Sequence, residues 1–410
     1  SAQRGAHTML VERSGQLGGN AANAFVHTIC GLYEPPDRGE AVPLHPGLPK
    51  RFANELCAVG AASPPERAGR VYVLPLDPPR FAAHVATLCE KANGLEVSTG
   101  SELVEAAFYS ADSVRLCIDR GSAGVRSISA AIVIDSTGDA AVASLLDAPT
   151  AETDASRLQL PSFIFRMAGV DCSELEGFAK LRVTHAVASA ARDGAIPSQC
   201  ESVLIRPAAG RDEVYVTLNV PRPRDTPYRP LDRQHIDALT ARARSDAEQI
   251  AKFLRETRPA FAESRIDAWP VRLGVRETRR VVGQYEMSRQ DVLMGRSDSD
   301  EVCRSSWPIE LWTDHRRARF EYPVRPCSIP LGALVSQRSP RLGMAGRCLS
   351  ASHDAMGALR VIGTALATGE AIGVTAALAA DRCSGLDAIA ASDVRAHILD
   401  TAAESVAKGN

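Results

Sequence analysis

The fold is decided by one stretch near the end of the chain, Met344-Ala345-Gly346-Arg347-Cys348-Leu349-Ser350-Ala351-Ser352-His353-Asp354-Ala355-Met356-Gly357-Ala358-Leu359-Arg360-Val361. Its order predicts a strand, a Gly-Arg pair, a polar loop and then a long apolar helix from about Ala355 to Ala380. Free N–H groups at a helix start attract anions, and Arg347 can bind a phosphate through two parallel hydrogen bonds. Gly369 and Gly373 are expected to let the helix backbone pack closely. The simpler interpretation is a tightly packed structural helix.

A second strand-to-loop junction lies in the first half of the chain. An apolar strand predicted over Ile128–Ile134 runs into Asp135-Ser136-Thr137-Gly138-Asp139. A glycine lets the backbone approach a phosphate, and an aspartate can bind a sugar hydroxyl. The alternative is a plain turn in which Asp139 caps a helix that continues through Leu146.

A third junction follows the apolar strand Thr8-Met9-Leu10-Val11, which ends at Glu12 and leads into a glycine-rich loop, Ser14–Asn20. An acidic residue at the end of the second strand of a dinucleotide-binding unit accepts hydrogen bonds from ribose hydroxyls. That interpretation requires a G-x-G-x-x-G loop about 20 residues earlier, and this pattern occurs nowhere in the sequence. Either the sequence is part of a longer chain or the usual seat of the pyrophosphate is missing. A surface carboxylate is the alternative for Glu12.

The middle of the chain has a different pattern. Its predicted strands alternate as if half-exposed, and two amphipathic helices accompany them: strands Phe163–Val170 and Glu213–Val220, helices Leu175–Arg192 and Leu231–Arg258. The whole therefore predicts an α/β fold in three parts. A discontinuous first domain, residues 1–154 and 326–410, would enclose an inserted mixed α+β domain, residues 155–325, that holds the substrate.

The composition excludes several classes of protein. Among 410 residues, 47 Lys+Arg balance 49 Asp+Glu, so a broad basic surface for nucleic acid is excluded. Ten dispersed cysteines form no C-x-x-C pair, which argues against a zinc or iron–sulfur site and predicts no metal. Reduced thiols and the lack of a recognisable signal peptide at Ser1 predict a cytoplasmic protein.

One segment, Val361–Ala380, is long enough to cross a membrane. It is mostly Ala, Gly and Thr, and Glu370 lies in its middle. A buried helix of a soluble core is therefore the favoured interpretation, and a membrane span is the alternative.

Taken together, these motifs resemble the FAD-dependent oxidoreductases of the glutathione-reductase-like flavoprotein superfamily. The resemblance covers nearly the whole chain, in order. Its two specific patterns are G-x-R-E-x-R-R-x-x-G at residues 274–283 and A-G-R-x-x-S-x-S-H-x-A-x-x-x-x-R-V at residues 345–361. The other matching positions are Glu12, Leu17-Gly18-Gly19, Ser136-Thr137-Gly138-Asp139, Tyr285 and Asp291-Val292.

The resemblance implies a Rossmann-like FAD-binding domain and assigns residues to the cofactor. The ribose would be held by Glu12, and the pyrophosphate or flavin would lie close to Gly18 and Gly19. The adenine would meet the backbone at Leu103-Val104. The second FAD fingerprint would be formed by Thr137, Gly138 and Asp139. The phosphates and ribitol would lie by Gly346 and Arg347, and the flavin edge by Gly357, Arg360 and Val361. The positive end of the helix that begins near Gly357 would cap the flavin ring.

Three residues are candidates for catalysis. His353 suits acid/base work because its ordinary pKa lies near neutral pH, although a hydrogen-bonded loop histidine is the alternative. Arg276 and Arg279 would hold an anionic substrate or brace the inserted domain, with Glu277 between them orienting their guanidinium groups. A solvated strand face is the alternative for this segment. His27 is a weaker candidate than His353.

The predicted function is hydride transfer between a small organic substrate and FAD, followed by reoxidation by oxygen or an electron carrier. Alternatives are an FAD-dependent monooxygenase, an NAD-binding dehydrogenase, and a flavin-free or incomplete family member that acts as a binding module or needs a partner chain. The expected partners are a small-molecule substrate and an electron acceptor, with no nucleic acid and no membrane. Homo-oligomerisation is left open.

Overall fold

The computed structural model describes residues 1–35, 39–175, 177, 179–208, 212–223 and 225–407. Within these, the α-helices are α1 Gly19–Asn23, α2 Leu48–Ala58, α3 Pro78–Glu90, α4 Ala141–Leu145, α5 Ala179–Arg192, α6 Arg233–Thr257, α7 Arg289–Met294, α8 His353–Leu359, α9 Ile362–Asp381 and α10 Ala391–Ala407. Short 3₁₀ turns connect several of them.

The strands of the first third of the chain are β1 Thr8–Glu12, β2 Thr28–Cys30, β3 Glu66–Ala68, β4 Val71–Pro75, β5 Leu95–Thr99, β6 Glu102–Ser110, β7 Ser113–Asp119, β8 Val125–Ala130 and β9 Val133–Asp135. The remaining strands are β10 Thr150–Ala151, β11 Ser162–Ala168, β12 Val203–Pro207, β13 Glu213–Asn219, β14 Arg265–Ala268, β15 Arg280–Val281, β16 Glu301–Ser305, β17 Ile309–Leu311, β18 Arg319–Glu321, β19 Cys327–Pro330 and β20 Leu342–Met344.

The predicted strand-to-loop junctions lie at the ends of two pairs of parallel strands. β1 pairs with β5 so that Glu12 lies opposite Thr99, and β9 pairs with β20 so that Asp135 lies opposite Met344. Parallel strands end at the same edge of a sheet, so each pair brings two loops together at its carboxyl end. Together with the flanking helices, these pairs confirm the predicted α/β class. The strand predicted over Ile128–Ile134 is wrong in one respect, because β8 and β9 are separate strands.

The middle of the chain forms a four-stranded antiparallel sheet in the order β12-β13-β11-β14. The prediction that its strands are half-exposed is wrong, because β11 and β13 are buried along nearly their whole length. Both faces of the sheet are covered. Helices α5 and α6 pack on one face, and on the other the ring of His27 stacks on Tyr215 of β13 at 5.0 Å. Burial lowers the pKa of His27 to about 4, so this histidine is a neutral packing residue.

The apolar cores follow the sheets. One core, drawn from residues 158–273, joins the four-stranded sheet to α5 and α6. Another joins β16, β17 and β19 to α8, α9 and α10. Strands from the end of the predicted inserted domain therefore pack with C-terminal helices, and the domain boundaries at 154 and 325 stay predictions.

The single long helix predicted from Ala355 to Ala380 is in fact two helices. Arg360 ends α8, and Val361 adopts an extended backbone (φ −71°, ψ 153°) that caps the start of α9. The break lets α9 lie against the end of β2, where a Cβ on Gly363 would stand 2.5 Å from the carbonyl carbon of Gly31. The positive end of the longer helix therefore lies at Ile362 and not near Gly357.

Helix α9 is the one helix of the described chain that is long and apolar enough to cross a membrane. Two thirds of its apolar window, 67%, is buried inside the protein. It packs against α2, α10, β2 and β16, and its Glu370 accepts a hydrogen bond from the backbone N–H of Leu48 at 2.7 Å. These contacts are those of a core helix, as the favoured interpretation predicts.

We expect Gly363→Ala to destabilise the protein by about 1–3 kcal/mol or more, because the added methyl has no space against the β2 backbone. Gly369→Ala in the same helix is the matched control. Apart from its own turn of helix, no atom of the described residues lies within 4 Å of its Cβ position, so the prediction that Gly369 serves close packing is wrong. This control should stabilise by about 0.5–1 kcal/mol. Urea unfolding measures both, and equal effects of the two substitutions would contradict the assigned contact.

Candidate functional site

The segment Arg272–Arg280 lies where the three predicted junctions meet. The carbonyl oxygen of Val275 accepts hydrogen bonds from Arg347 Nη1 at 2.8 Å and from Asn20 Nδ2 at 3.3 Å. The hydroxyl of Thr278 donates to the carbonyl oxygen of Gly138 at 2.8 Å. The structure thus brings together the Gly18-Gly19 loop, the loop after β9 and the loop after β20, although they are more than 100 residues apart in sequence.

The loop after β9 is shaped by Asp135, which is fully buried. Its carboxylate accepts hydrogen bonds from the hydroxyl of Thr137 at 2.7 Å and from the N–H of Ala143 at 3.0 Å. The Thr137 hydroxyl in turn accepts from the N–H groups of Asp139 and Ala141. The prediction that Asp139 caps the following helix is wrong, because Thr137 and Asp135 satisfy those N–H groups and leave the Asp139 carboxylate for other partners.

Arg347 lies directly over Gly138. A Cβ on Gly138, whose φ is +77°, would stand 2.5 Å from Nη2 of Arg347. The same nitrogen lies 3.4 Å from the carboxylate of Asp139. Arg279 reaches this loop from the other side and donates to the carbonyl oxygen of Asp139 at 3.2 Å and to the hydroxyl of Ser144 at 2.7 Å. Arg279 therefore braces the loop, and the two roles predicted for it stay predictions.

Arg272 connects this loop to the end of β1. It lies close enough to Glu12, Asp139 and Arg347 to interact with their charges, and burial lowers its pKa. Its Nε is buried and has no hydrogen-bond partner in the described part of the chain. Glu12, at the end of β1, and Asp139, in the loop after β9, therefore lie near the same guanidinium.

Two of the predicted cofactor residues lie on β1 and β6. Glu12 accepts a hydrogen bond from the N–H of Ser14 at 2.7 Å, and its carbonyl oxygen accepts from Ser101, next to β6. Val104 lies at a bulge of β6 and is 40% exposed. A neighbouring cleft of about 560 Å³ is lined by residues 15–17, helix α3 and the end of β5.

Two glycine positions depend on backbone conformation. Gly18 has a φ of +107°, and a Cβ there would stand 2.8 Å from the Cβ of Ala22, so α1 can begin at Gly19 only with glycine before it. Gly346 has a φ of +61°, and its N–H donates to the hydroxyl of Thr368 on α9 at 3.1 Å. This hydrogen bond places the Gly346-Arg347 pair against α9.

His353 is the first residue of α8 and forms a buried pair with Glu277. Its Nδ1 lies 2.9 Å from both carboxylate oxygens of Glu277. Burial alone would raise the pKa of Glu277, but hydrogen bonds from His353 and Thr153 and the charge of Arg280 hold that pKa below its usual value. Glu277 is therefore ionised, and it orients His353 and Arg280 rather than the two predicted arginines.

Arg276 lies in a second polar cluster, which also contains Asn219, Glu310, Trp312 and Arg360. It donates to the carbonyl oxygen of Leu160 and to Asn219 Oδ1, and its guanidinium lies 4.9 Å from the ring centre of Trp312. Burial, reinforced by the charge of Arg360, lowers the pKa of Arg276 to about 9. The carboxylate of Glu310 lies near both cations and lowers the cost of holding them together.

Of the other residues predicted for the flavin edge, Arg360 and Gly357 contact this cluster and Val361 lies apart from it. Arg360 donates to the carbonyl oxygen of Glu310 at 3.2 Å and to Gln159 Oε1 at 3.3 Å. Gly357 packs against β17, where a Cβ would stand 3.2 Å from the backbone nitrogen of Glu310. Val361 is buried against Gly31.

Sequence reasoning missed several residues that the fold brings to these clusters: Gln159, Tyr228, Arg272, Thr278 and Glu310. The Tyr228 hydroxyl and Gln159 Nε2 are buried without a hydrogen-bond partner in the described ranges. Of the five, Thr278 alone lies inside a recognised motif. The others stand in stretches with no distinctive local pattern, so only the tertiary structure identifies them.

Polar loops gathered at the carboxyl ends of parallel strands are where α/β proteins usually bind their ligands. The chain belongs to the family of FAD dependent oxidoreductases, which its sequence matches over residues 1–398. The predicted family, enzyme class and FAD cofactor are thereby confirmed. No curated protein matches the sequence.

Among solved structures, the chain is similar to p-nitrophenol 4-monooxygenase PnpA from Pseudomonas putida, with 12% identity over 99% of this chain and 83% of that one and a TM-score of 0.44. It is similar to a geranylgeranyl bacteriochlorophyll reductase-like protein from Thermoplasma acidophilum, with 11% identity over 99% and 78% of the two chains and a TM-score of 0.44. For CabE, an aromatic hydroxylase from angucycline biosynthesis, the identity is 12% over 98% of this chain and the TM-score is 0.44. The chain spans 65% of the length of CabE.

Proposed function

We propose that this protein transfers a hydride between a small organic substrate and FAD. The observation that carries the proposal is the convergence of three strand-end loops on residues 272–280. Glu277 of this segment also pairs with His353 at the start of α8. FAD supplies the electron chemistry when bound, and the protein holds it, orients the substrate and handles the proton.

The residues near Arg272 fit the cofactor. Glu12 and Asp139 offer carboxylate oxygens, which suit sugar or ribitol hydroxyl groups. Arg347 and Arg272 offer guanidinium donors, and Arg272 Nε is buried with no protein partner in the described chain. Such a donor is costly to bury unless a ligand oxygen accepts from it. We assign the phosphates to these two arginines.

Substrate handling is proposed for the second polar cluster. Arg276 and Arg360 both lie near the carboxylate of Glu310, and the unpartnered donors of Tyr228 and Gln159 lie among them. A substrate with an anionic or acceptor-rich end would satisfy these donors. His353 would accept the proton that accompanies hydride transfer.

The first test is cofactor affinity. We expect Arg347→Ala to raise the dissociation constant for FAD about 10- to 100-fold, because a charge-assisted hydrogen bond to a phosphate contributes about 1.5–3 kcal/mol. Quenching of FAD fluorescence during titration of the apoprotein measures the constant. Arg382→Ala, which removes an exposed ion pair with Asp393, is the control and should leave affinity unchanged. Equal affinity of all three proteins would remove Arg347 from the cofactor site.

The second test is the reaction itself. Anaerobic mixing of the FAD-loaded protein with a panel of alcohols and amines should bleach the flavin absorbance near ~450 nm with at least one of them. Absence of bound FAD in the folded protein would favour the flavin-free alternative. Mass analysis of the released nucleotide separates FAD from NAD.

We further propose a cytoplasmic location and reoxidation by oxygen or an electron carrier. The supporting observation for the location is the set of cysteines, all of which are free thiols in the structure. Fractionation of the source cells tests the location, and the dependence of turnover on oxygen tests the acceptor.

A further inference from the structure

Glu277 is surrounded by hydrogen-bond donors. Its side chain has no exposed surface. It accepts from the hydroxyl of Thr153 at 2.6 Å, from Nη1 of Arg280 at 2.9 Å and from the backbone N–H of Gln159 at 3.3 Å. The fourth donor is Nδ1 of His353 at 2.9 Å. None of these partners needs a proton from Glu277, so the site requires the ionised carboxylate.

This environment determines which nitrogen of His353 carries the proton. A carboxylate can only accept, so Nδ1 carries a hydrogen wherever this contact is kept, and in the neutral form of the ring the lone pair lies on Nε2. Arg280 balances the charge of Glu277, and its side chain is only 5% exposed. Nε2 makes no hydrogen bond to any described residue, and the His353 side chain is 9% exposed. His353 is therefore held as a proton acceptor with one free position.

The backbone around His353 fixes the ring further. Ser352 caps α8 and accepts from the N–H of Ala355 at 3.3 Å, so His353 stands at a defined point at the start of the helix. The adjacent Asp354 is directed elsewhere and lies 4.0 Å from Arg289. The Glu277 contact is thus specific to position 353 and not a general property of this turn.

We propose that Glu277 is a positioning residue that fixes the Nδ1–H tautomer of His353, and that the substrate carries an O–H or N–H on the carbon that is oxidised. This rests on the proposed function, in which FAD is the two-electron oxidant. The C–H bond breaks with its electron pair leaving as hydride to FAD, and the O–H or N–H bond breaks with its proton passing to Nε2 of His353. The product is a carbonyl or an imine, and His353 becomes a cation stabilised by Glu277.

The test reads the tautomer directly. Long-range ¹H–¹⁵N spectra of the FAD-loaded full chain, labelled at histidine, distinguish a protonated ring nitrogen from an unprotonated one. The wild-type protein is expected to show His353 with Nδ1 protonated and Nε2 unprotonated. In Glu277→Gln the amide oxygen would stay with Arg280 and Thr153 and the NH₂ group would face His353, so Nδ1 should become the acceptor and Nε2 should carry the proton.

Two further variants keep the outcome clear. Asp354→Asn is the matched control and should leave the wild-type tautomer unchanged. Should Glu277→Gln not fold, Thr153→Val keeps the carboxylate and is expected to preserve the Nδ1–H tautomer, whereas a protonated Nε2 in the wild type or in this variant overturns the proposal. An unchanged tautomer in a folded Glu277→Gln protein also overturns it. The proposed function fails separately, through absence of FAD binding or of flavin bleaching, neither of which depends on the tautomer.

Discussion

His353→Asn is expected to slow flavin reduction by a factor of about 10² to 10⁴ while FAD stays bound, because a positioned proton acceptor contributes about this much to a rate. Asparagine can still donate a hydrogen bond to Glu277, so the buried carboxylate keeps a partner. It cannot take up the substrate proton. Stopped-flow bleaching near ~450 nm with a reducing alcohol or amine from the panel measures the rate.

The control for this experiment is Asp354→Asn, one residue further along α8. Its carboxylate lies toward Arg289 and outside the Glu277 cluster, so we expect the wild-type rate. Loss of FAD from the His353→Asn protein would instead assign His353 to cofactor binding. A rate within twofold of the wild type would exclude it as the proton acceptor.

The largest effect on stability is expected for Glu277→Leu, which should lower the free energy of unfolding by about 3–5 kcal/mol. The substitution leaves the guanidinium of Arg280 buried without its partner, and the ion pair is only 5% and 0% exposed at its two side chains. The Nδ1 of His353 and the hydroxyl of Thr153 also lose their acceptor. Urea unfolding of the protein without added FAD measures the change.

A double substitution separates the ion pair from simple loss of packing. Glu277→Leu combined with Arg280→Met removes both charges and replaces them with apolar side chains of similar length. Because no unpaired charge remains, the double variant should be more stable than Glu277→Leu alone. If the two losses simply add, the buried pair contributes no coupling, and the assigned role of Arg280 in keeping Glu277 ionised is wrong.

Local patterns in the sequence were sufficient to predict where the strands end and the polar loops begin. Short apolar runs that end in polar, glycine-containing loops mark buried strands, and this signal located β1 with Glu12, β9 with Thr137-Gly138-Asp139, and β20 with Gly346-Arg347. The motif around Glu277 was also visible. Its partners were not, because the sequence favoured its two neighbouring arginines and the structure pairs it with Arg280 and His353.

The two wrong predictions about the fold, a half-exposed sheet and a single long helix, have the same cause. Alternation in β11 and β13 indicated a half-exposed sheet, but a second covering layer that includes His27 buries the other face. The apolar run after Ala355 indicated one helix, but contact between Gly363 and the backbone of Gly31 requires a break at Val361. In each case a distant segment overrides the local preference.

What the sequence alone determined is the family, the α/β class and the three junctions, since each depends on residues adjacent in the chain. The meeting of Glu12, Asp139 and Arg347 around Arg272 was decided by the tertiary structure, as was the buried Glu277–His353 pair. The physical reason is that hydrogen-bond partners and desolvation depend on which surfaces pack together. A contact between positions 277 and 353 produces no repeating pattern in the sequence of either segment.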